Sequence, residues 1–327
     1  MVGGAVGPRS ALRNWDLFWP RRILRLLVSL FALVTITFFM VQLVPGNPVR
    51  EALGPDAPAK VVAQREKELG LDKPLLVQYV DYWDNALHGN LGTSLAENLP
   101  VTSIIESRIW RTASLLGLAL AFTIVVSLPM GLLLGVLTDN GRRRRLEVGF
   151  TSIASTLNSI PEFLFAIGLV FLFGVALQWL PVAGAGGLNS YALPTLAIAL
   201  GPTAALTRIV RVETTTVLKR DYMLVARSKR LPARILYLRH ALPNLLTAAL
   251  TVGGLLLTVL VGSVVIVENV FAWPGLGTEL VQAITSRDFP LVQGIMLVLG
   301  ATVLLINLLV DVLIALVDPR STIRETG

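Results

Sequence analysis

Long apolar runs dominate the pattern of hydrophobic and polar positions in this 327-residue chain. An α-helix needs roughly 20 apolar residues to cross a hydrocarbon layer about 30 Å thick, and six runs come close to that length: 26–44, 113–137, 151–178, 191–210, 245–267 and 291–313. The first run is longer than the apolar part of a signal peptide and no small-residue cleavage site follows it, so we expect it to remain as a membrane span. The pattern predicts an all-α integral membrane protein with six transmembrane helices, of which helices 2–6 form a core over 113–317.

The distribution of basic residues predicts the orientation of these spans. If the tail 1–25, the loop around 139–147, the loop 211–243 and the tail 318–327 share one face, that face holds 20 of the 28 Lys and Arg residues, with Arg208 included. Such a bias marks the cytoplasmic side of a membrane, so we expect both termini in the cytoplasm and the segment 45–112 outside. The net charge of +7 then reports orientation at a lipid surface, and it is weak evidence for a nucleic-acid partner.

Several kinds of chemistry have no basis in the sequence. There is no cysteine, and the two histidines, His88 and His240, fall on opposite predicted faces, which excludes disulfides and the usual His or Cys metal sites. A P-loop needs a lysine directly after a glycine, and none of the five lysines follows one. We therefore expect neither a catalytic site nor a cofactor in this chain, so that any ATP-driven activity comes from a separate subunit.

A short amphipathic helix is predicted within the long connection 45–112. Pro74 takes its first helical position and Gly89 ends it, and its apolar residues recur at steps of three and four along one face: Leu75, Leu76, Tyr79, Val80, Trp83 and Leu87. Such a helix could lie on the ends of the spans or on lipid headgroups. It could equally offer a docking surface to an extracytoplasmic partner, and the spacing favours neither interpretation.

Polar residues cluster in the first half of the third run. Ser152, Ser155, Ser159 and Glu162 follow at steps of three, four and three, so they share a helical face, and Pro161 is expected to kink the helix beside them. In one interpretation this stripe lines a solute path, with Glu162 available to a cationic group. In the other, the serines allow close helix packing and Glu162 pairs with a neighbouring helix.

The segment DYMLVARSKRLPARILYLRHALPN (221–244) places a basic, helix-forming stretch between two apolar runs. Its pattern predicts one helix over about 213–229 and a second over 232–242, with Pro232 in the first turn of the second helix and Pro243 at its end. Two short helices joined by a tight turn make a compact projection, which suits a cleft on a soluble partner.

This segment resembles the cytoplasmic coupling loop of permease subunits from binding-protein-dependent ABC importers, most closely the dipeptide/oligopeptide/nickel branch. The resemblance covers nearly the whole chain, because LGLDKPLLVQY, GNLGTSL, SIPEF, WLPVAG, VVIVENVFAWPGLG, RDFPLVQG and NLLVDVLIALVDPR occur in the order shown by that branch. It implies the type I importer permease architecture in a prokaryotic plasma or inner membrane, with a small extracytoplasmic segment between helices 1 and 2. It also implies a homologous second permease, two cytoplasmic ATPase subunits that bind ATP and Mg, and an extracytoplasmic binding protein.

The resemblance assigns roles to residues. The coupling loop 211–243 would contact an ATPase through Asp221, Tyr222, Ala226, Arg227, Lys229, Arg230, Leu231, Leu242 and Pro243, with Ala226 on the contact face. An outer gate or binding-protein contact would include Tyr79, Trp83, Glu268, Asn269, Phe271 and Trp273. The family's general loop pattern begins Glu-Ala-Ala and has a glycine four residues later, whereas this chain has Leu224, Val225 and Ala226 and then Arg230. If that turn needs a positive φ, an arginine costs about 1–2 kcal/mol there.

The implied function is ATP-driven import of di- or oligopeptides, with this non-catalytic subunit forming half of the path. Nickel complexes, glutathione and small oligosaccharides are alternative solutes for the same machinery. A different class, the proton-driven secondary transporter, would use Glu162 and Asp311 as relay groups, although it normally has an internal repeat and the chain shows no convincing one. Otherwise we expect Asp311 to be a satisfied structural group. A membrane scaffold without transport is a third class, which the polar stripe and the patterned loop disfavour.

Overall fold

The computed structural model describes residues 8–43, 46, 49–50, 54, 57–68, 70–141 and 143–317. Within that part of the chain the structure is helical, and its β-type pairing is confined to a bridge between Thr93 and Pro100. The predicted tail 318–327 and the first seven residues of the predicted tail 1–25 lie outside the described residues.

The described helices follow one another in this order: α1 (Pro8–Gln42), α2 (Ala59–Glu68), α3 (Leu75–Leu87), α4 (Val101–Thr138), α5 (Arg144–Ser159), α6 (Glu162–Leu169), α7 (Ala192–Leu218), α8 (Asp221–Ser228), α9 (Ala233–Ile235), α10 (Leu242–Val270), α11 (Leu276–Thr285) and α12 (Phe289–Val317). Two π-helical stretches extend this set, Val170–Ala176 after α6 and Leu236–Ala241 between α9 and α10.

The membrane-spanning fold predicted from the apolar runs is confirmed. Four stretches are long and apolar enough to cross a membrane, Trp19–Gln42 in α1, Val101–Gly141, Leu188–Leu218 and Phe289–Val312 in α12, and α5 with α6 forms a bent pair that passes the same test. The remaining run, 245–267, lies within α10, a helix of 29 residues. Each predicted run therefore coincides with a helix or with the bent pair.

The third span is sharply broken where a kink was expected. α5 ends at Ser159, Ile160 is extended, and Pro161 precedes the first residue of α6, so that the two helix axes differ by 99°. Proline causes this break because it has no N–H to donate to α5 and its ring restricts the residue before it. The second span also differs from the prediction, since its helix starts at Val101 and includes 101–112.

Close approach of α4 and α7 depends on glycines that face the partner helix. A Cβ at Gly131 would lie 2.6 Å from the Cβ of Val210, and a Cβ at Gly135 would lie 2.6 Å from Cγ2 of Thr214. Real atoms do not approach this closely, so neither position has room for a side chain. Small residues of this kind let membrane helices pack backbone to backbone.

Polar contacts join α1 to α12. The Arg22 guanidinium pairs with the Asp311 carboxylate, and Gln293 Nε2 donates a hydrogen bond to the Thr37 carbonyl oxygen over 3.3 Å. The expectation that Asp311 is a satisfied structural group is confirmed by its ion pair.

The two ends of the helix bundle differ in composition. We call the end that carries α8 and Arg143–Arg145 the basic end, and the end that carries α11 the α11 end. α4 runs between them, because Arg108 near its start pairs with Glu279 of α11 and Asp139 just after its last residue pairs with Arg227 of α8.

Candidate functional site

The segment with the predicted coupling role is a helical projection packed onto the basic end. The inward side of α8 carries Met223 and Ala226, which are buried against side chains from the end of α7, the π-helical turn and the start of α10: Val217, Leu218, Leu236, Ala241 and Leu245. This cluster joins the projection to both flanking membrane helices. A displacement of α8 would therefore be transmitted to the ends of α7 and α10.

The position of Ala226 corrects the prediction that it faces a partner. Its side chain is 4% exposed and lies inside the cluster, whereas Leu224 and Val225 on the other side of α8 are 53% and 54% exposed. Tyr222 is exposed on the same helix, and Asp221 lies in its first turn, where a negative charge is favourable. Sequence reasoning noted Leu224 and Val225 only as departures from a pattern. No sequence signal separates them from Met223 and Ala226, because all four residues are apolar.

The turn after α8 places an arginine in left-handed backbone. Lys229 ends the helix, and Arg230 has φ +52° while its N–H donates to the Arg227 carbonyl oxygen over 2.9 Å. The turn therefore has a positive φ at this position, and an arginine there costs about 1–2 kcal/mol in backbone strain. Leu231 then packs against the apolar cluster. Pro243 does not end a helix, as the sequence had suggested, because it lies with Leu242 in the first turn of α10.

Ion pairs fix the projection and the neighbouring helices at the basic end. Arg227 lies 3.7 Å from the largely buried Asp139, which follows α4, and Arg211 of α7 lies 3.0 Å from Glu147 of α5. Arg227 thus contacts its own chain, and the lysine and arginine of the turn, Lys229 and Arg230, remain exposed.

The predicted polar stripe is divided by the break at Pro161. Ser152, Ser155 and Ser159 are exposed on α5, and Ser159 Oγ donates to the Ser155 carbonyl oxygen over 2.8 Å. Glu162 is the first residue of α6 and lines a cleft of about 90 Å³ that also includes Gly201 and Pro202 of α7. Glu162 therefore lies on a different helix from the three serines, and its cleft is bounded by the middle of α7.

A buried network at the α11 end explains the sequence ENVFAWPGLG. Thr112 Oγ1 donates to Glu268 Oε1 over 2.7 Å, the Gly277 N–H donates to Glu268 Oε2 over 2.6 Å, and the Leu276 N–H donates to Thr112 Oγ1 over 2.8 Å. Glu268 thus caps the first turn of α11, where the helix dipole favours a carboxylate. Gly275 and Gly277 both lie against this carboxylate, which leaves no room for a Cβ.

Burial also changes the interpretation of the predicted outer contact. Glu268, Phe271 and Trp273 are 0–1% exposed, and the Trp273 ring packs edge-on against Tyr191 at 4.5 Å between centroids. They cannot form a surface for a binding protein in this structure, and that part of the prediction is wrong. Asn269 is exposed as predicted for a surface residue, and a gating role for the group stays a prediction.

Tyr79 and Trp83 of α3 pack against α1. The Tyr79 hydroxyl lies 2.8 Å from Thr35 Oγ1, and the Trp83 ring stacks on Phe31 with 5.3 Å between centroids. The amphipathic helix predicted over this segment is confirmed as α3, with Pro74 before it and Gly89 (φ +74°) after it.

Comparison with known proteins assigns the chain to a family. The model of the binding-protein-dependent transport system inner membrane component matches residues 127–323, and the model of the N-terminal part of such membrane components matches residues 17–116. The glutathione transport system permease protein GsiC of Pectobacterium atrosepticum is 36% identical over 302 residues, which are 92% of this chain and 97% of that protein. A peptide transport system permease protein of Brucella suis biovar 1 is 38% identical over 308 residues, again 92% and 97%.

The fold also matches a solved transporter. The inward-facing MetNI methionine ABC transporter aligns with a TM-score of 0.52 and 21% identity, over 66% of this chain and 97% of the transporter chain. At that identity the match concerns the fold alone. The family models and the relatives lead to one conclusion: the chain belongs to the family of inner membrane components of binding-protein-dependent transport systems, as an ABC importer permease of the peptide and nickel branch.

Proposed function

We propose that this permease forms half of a translocation path for short peptides and that its α8 projection receives ATP-driven movement from separate ATPase subunits. The observation that carries the proposal is the exposed apolar face of α8, where Tyr222, Leu224 and Val225 are 41%, 53% and 54% exposed. Apolar side chains grouped on a projecting helix favour a protein partner that covers them. The opposite face of α8 is fixed in the chain's own core.

The contacts of the α8 projection connect it to several membrane helices. Its buried cluster contains residues of α7 and α10, and the Arg227–Asp139 pair connects it to the end of α4. A partner that moves α8 would therefore move three membrane helices together. ATP and Mg would bind in two ATPase subunits at the basic end, which the positive-inside rule places in the cytoplasm along with both termini.

The remaining partners follow from the family. A homologous second permease would supply the other half of the path, and an extracytoplasmic binding protein would deliver the solute. Exposed apolar side chains on α6 and on the π-helical stretch after it, among them Phe163, Ile167 and Phe171, are available to a second permease or to lipid.

Short peptides are the proposed solutes because relatives at 36–38% identity carry the names of glutathione and peptide permeases. Both kinds of solute bear a free amino group. Glu162, at the bend between α5 and α6, could pair with such a group in its cleft. Nickel complexes and oligosaccharides remain outcomes of the test.

The test is ATP hydrolysis by the reconstituted complex. The chain would be co-expressed with the subunits encoded beside it, placed in proteoliposomes and supplied with binding protein, with and without short peptides. We expect peptides to stimulate hydrolysis. Stimulation by nickel chelates or sugars alone would support ATP-driven import but of a different solute. Uptake driven by a pH gradient without any ATPase would favour a secondary transporter.

A further inference from the structure

Glu162 and Arg208 are charged residues of the membrane spans, and within the described part of the chain their side chains form no hydrogen bond or ion pair. Glu162 begins α6 at the break in the third span, and Arg208 lies in α7. The span residues Asp311 and Glu268, by contrast, are held by Arg22 and by the first turn of α11. An ionisable residue inside a span is costly and usually faces a polar interior. The side chains of Glu162 and Arg208 are therefore available to a ligand.

The cleft of Glu162 lies deep in the helix bundle. It is bounded by Gly201 and Pro202 of α7 and by Leu256, which is the central residue of α10. Pro202 has no N–H to donate, so the carbonyl oxygen of Ile198 lacks its helical donor and adds an acceptor at the level of the cleft. A carboxylate and an open carbonyl oxygen together suit a primary ammonium group, which has three donors and no acceptor.

The helix α7 is the interior span, and a strip of it is open toward the basic end. Its apolar stretch is 67% buried, against 17% for α1 and 22% for α12, and α4, α5, α6 and α10 pack around it. The accessible strip follows steps of four, three and four residues: Gly201, Ala205, Arg208 and Val212. The same face is closed toward the α11 end, because Pro194 and Ala197 are buried. We therefore expect this strip to face the path and not the lipid.

The separation of the two charges matches the length of a short peptide. Seven residues lie between Gly201, at the cleft of Glu162, and Arg208, which is about 10 Å along α7 at a rise of 1.5 Å per residue. An extended chain advances by about 3.3–3.6 Å per residue, so roughly three residues cover that length. An arginine can bind the carboxylate at the far end of such a peptide through two parallel hydrogen bonds.

We propose that Glu162 and Arg208 bind the amino and carboxyl termini of a short peptide on its way through the path, and that the permease thereby distinguishes free peptides from capped ones. Neither charge contacts the side chains of the peptide, so the pair selects for termini and length and tolerates different sequences. The inference rests on the proposed function, because the strip lines a path only if this chain forms half of one.

The test measures how well peptides protect an introduced cysteine, which is the sole one in the chain. Ala205→Cys places a thiol on the strip between Gly201 and Arg208. The complex with its ATPase subunits, but without binding protein or nucleotide, is treated with a water-soluble maleimide, and labelling of this chain is followed at increasing trialanine concentration. Leu224→Cys, exposed on α8 and outside the path, is the matched control. Val212→Cys repeats the test if Ala205→Cys does not assemble.

We expect trialanine to slow the labelling of Ala205→Cys at least about fivefold and to leave Leu224→Cys unchanged. N-acetyl-trialanine and trialanine amide should each need about tenfold higher concentrations for half-protection, since each lacks one terminal charge. With Glu162→Gln added, the free and acetylated peptides should protect alike while the amide remains weaker. With Arg208→Gln added, the free peptide and the amide should protect alike while the acetylated peptide remains weaker.

The two variants separate binding from misfolding, because a damaged fold would remove both preferences together. Equal protection by free and capped peptides, or loss of both preferences in each variant, would overturn the proposal. Peptide-stimulated ATP hydrolysis without protection of Ala205→Cys would also overturn it and would leave the proposed function standing. Absence of both stimulation and protection would overturn both.

Discussion

Placing a charge at Ala226 tests the packing of the coupling projection. In the structure this methyl group is 4% exposed and lies in a cluster of buried apolar side chains, so a carboxylate there would be removed from water. Burying one unpaired ion costs several kcal/mol even after relaxation. A cost of about 4 kcal/mol raises the population of the undocked segment by roughly a thousandfold, at 1.4 kcal/mol per tenfold.

Limited trypsin digestion measures the population of the undocked segment. The projection carries Arg227, Lys229 and Arg230, and cleavage of a transiently opened segment follows the population of its open form when reclosing is fast. We therefore expect Ala226→Asp to insert in the membrane but to be cut in this segment far faster than the unmodified chain. Transport and stimulated ATPase activity should fall with it.

Leu224→Asp is the matched control, two residues away on the exposed face of α8. It adds the same charge but should leave the projection as resistant to trypsin as the unmodified chain, while stimulated ATPase activity falls because the partner contact is altered. Cleavage of Ala226→Asp at the unmodified rate would refute the buried placement of Ala226. Full ATPase stimulation in Leu224→Asp would instead refute the contact face and leave the packing intact.

Three further substitutions test other parts of the structure. Arg230→Gly should leave assembly intact and stabilise the turn by up to about 1–2 kcal/mol, because glycine adopts φ +52° without strain; loss of complex assembly would contradict this. Gly131→Ala should lower the free energy of unfolding in detergent by about 1–3 kcal/mol through overpacking against Val210, whereas Gly117→Ala, which meets open space on the same helix, should not lower it. Glu268→Ala should cost about 1–3 kcal/mol by leaving the Gly277 N–H and the Thr112 hydroxyl unsatisfied, and a thermal midpoint equal to that of the unmodified chain would rule out the capping role.

The periodic features of the sequence were sufficient for the membrane helices and for α3. Apolar runs of about 20 residues and apolar steps of three and four reflect local helix geometry, and Pro161 and the position of Arg230 in the sequence indicate the break and the strained turn. The size of the bend at Pro161 depends on packing of α6 against α7 and α10, which no local pattern encodes.

The assignments that failed concern long-range contacts. Glu268 meets Thr112, which is 156 residues away in the chain, and a glutamate beside Asn269 near the end of a span has the composition of a surface site. Ala226 was expected on the outer face of α8 because a small residue suits either a contact or a core. The side chains that surround Ala226 come from α7, the π-helical turn and α10, and their contacts place it in the core. A sequence pattern does not show which distant segments meet in the fold.

Cross-linking from Leu224→Cys to a co-expressed ATPase subunit tests the central claim most directly. The chain has no other cysteine, so a maleimide that carries a photoreactive benzophenone, attached at this position, inserts on illumination into C–H bonds next to the exposed face of α8 and needs no cysteine in the partner. We expect a product that contains both the permease and the ATPase, and a weaker or absent product from the buried Ala226→Cys. A purified complex in which Leu224→Cys forms no such product, while a cysteine elsewhere at the basic end does, would contradict the assignment of α8 as the contact with the motor.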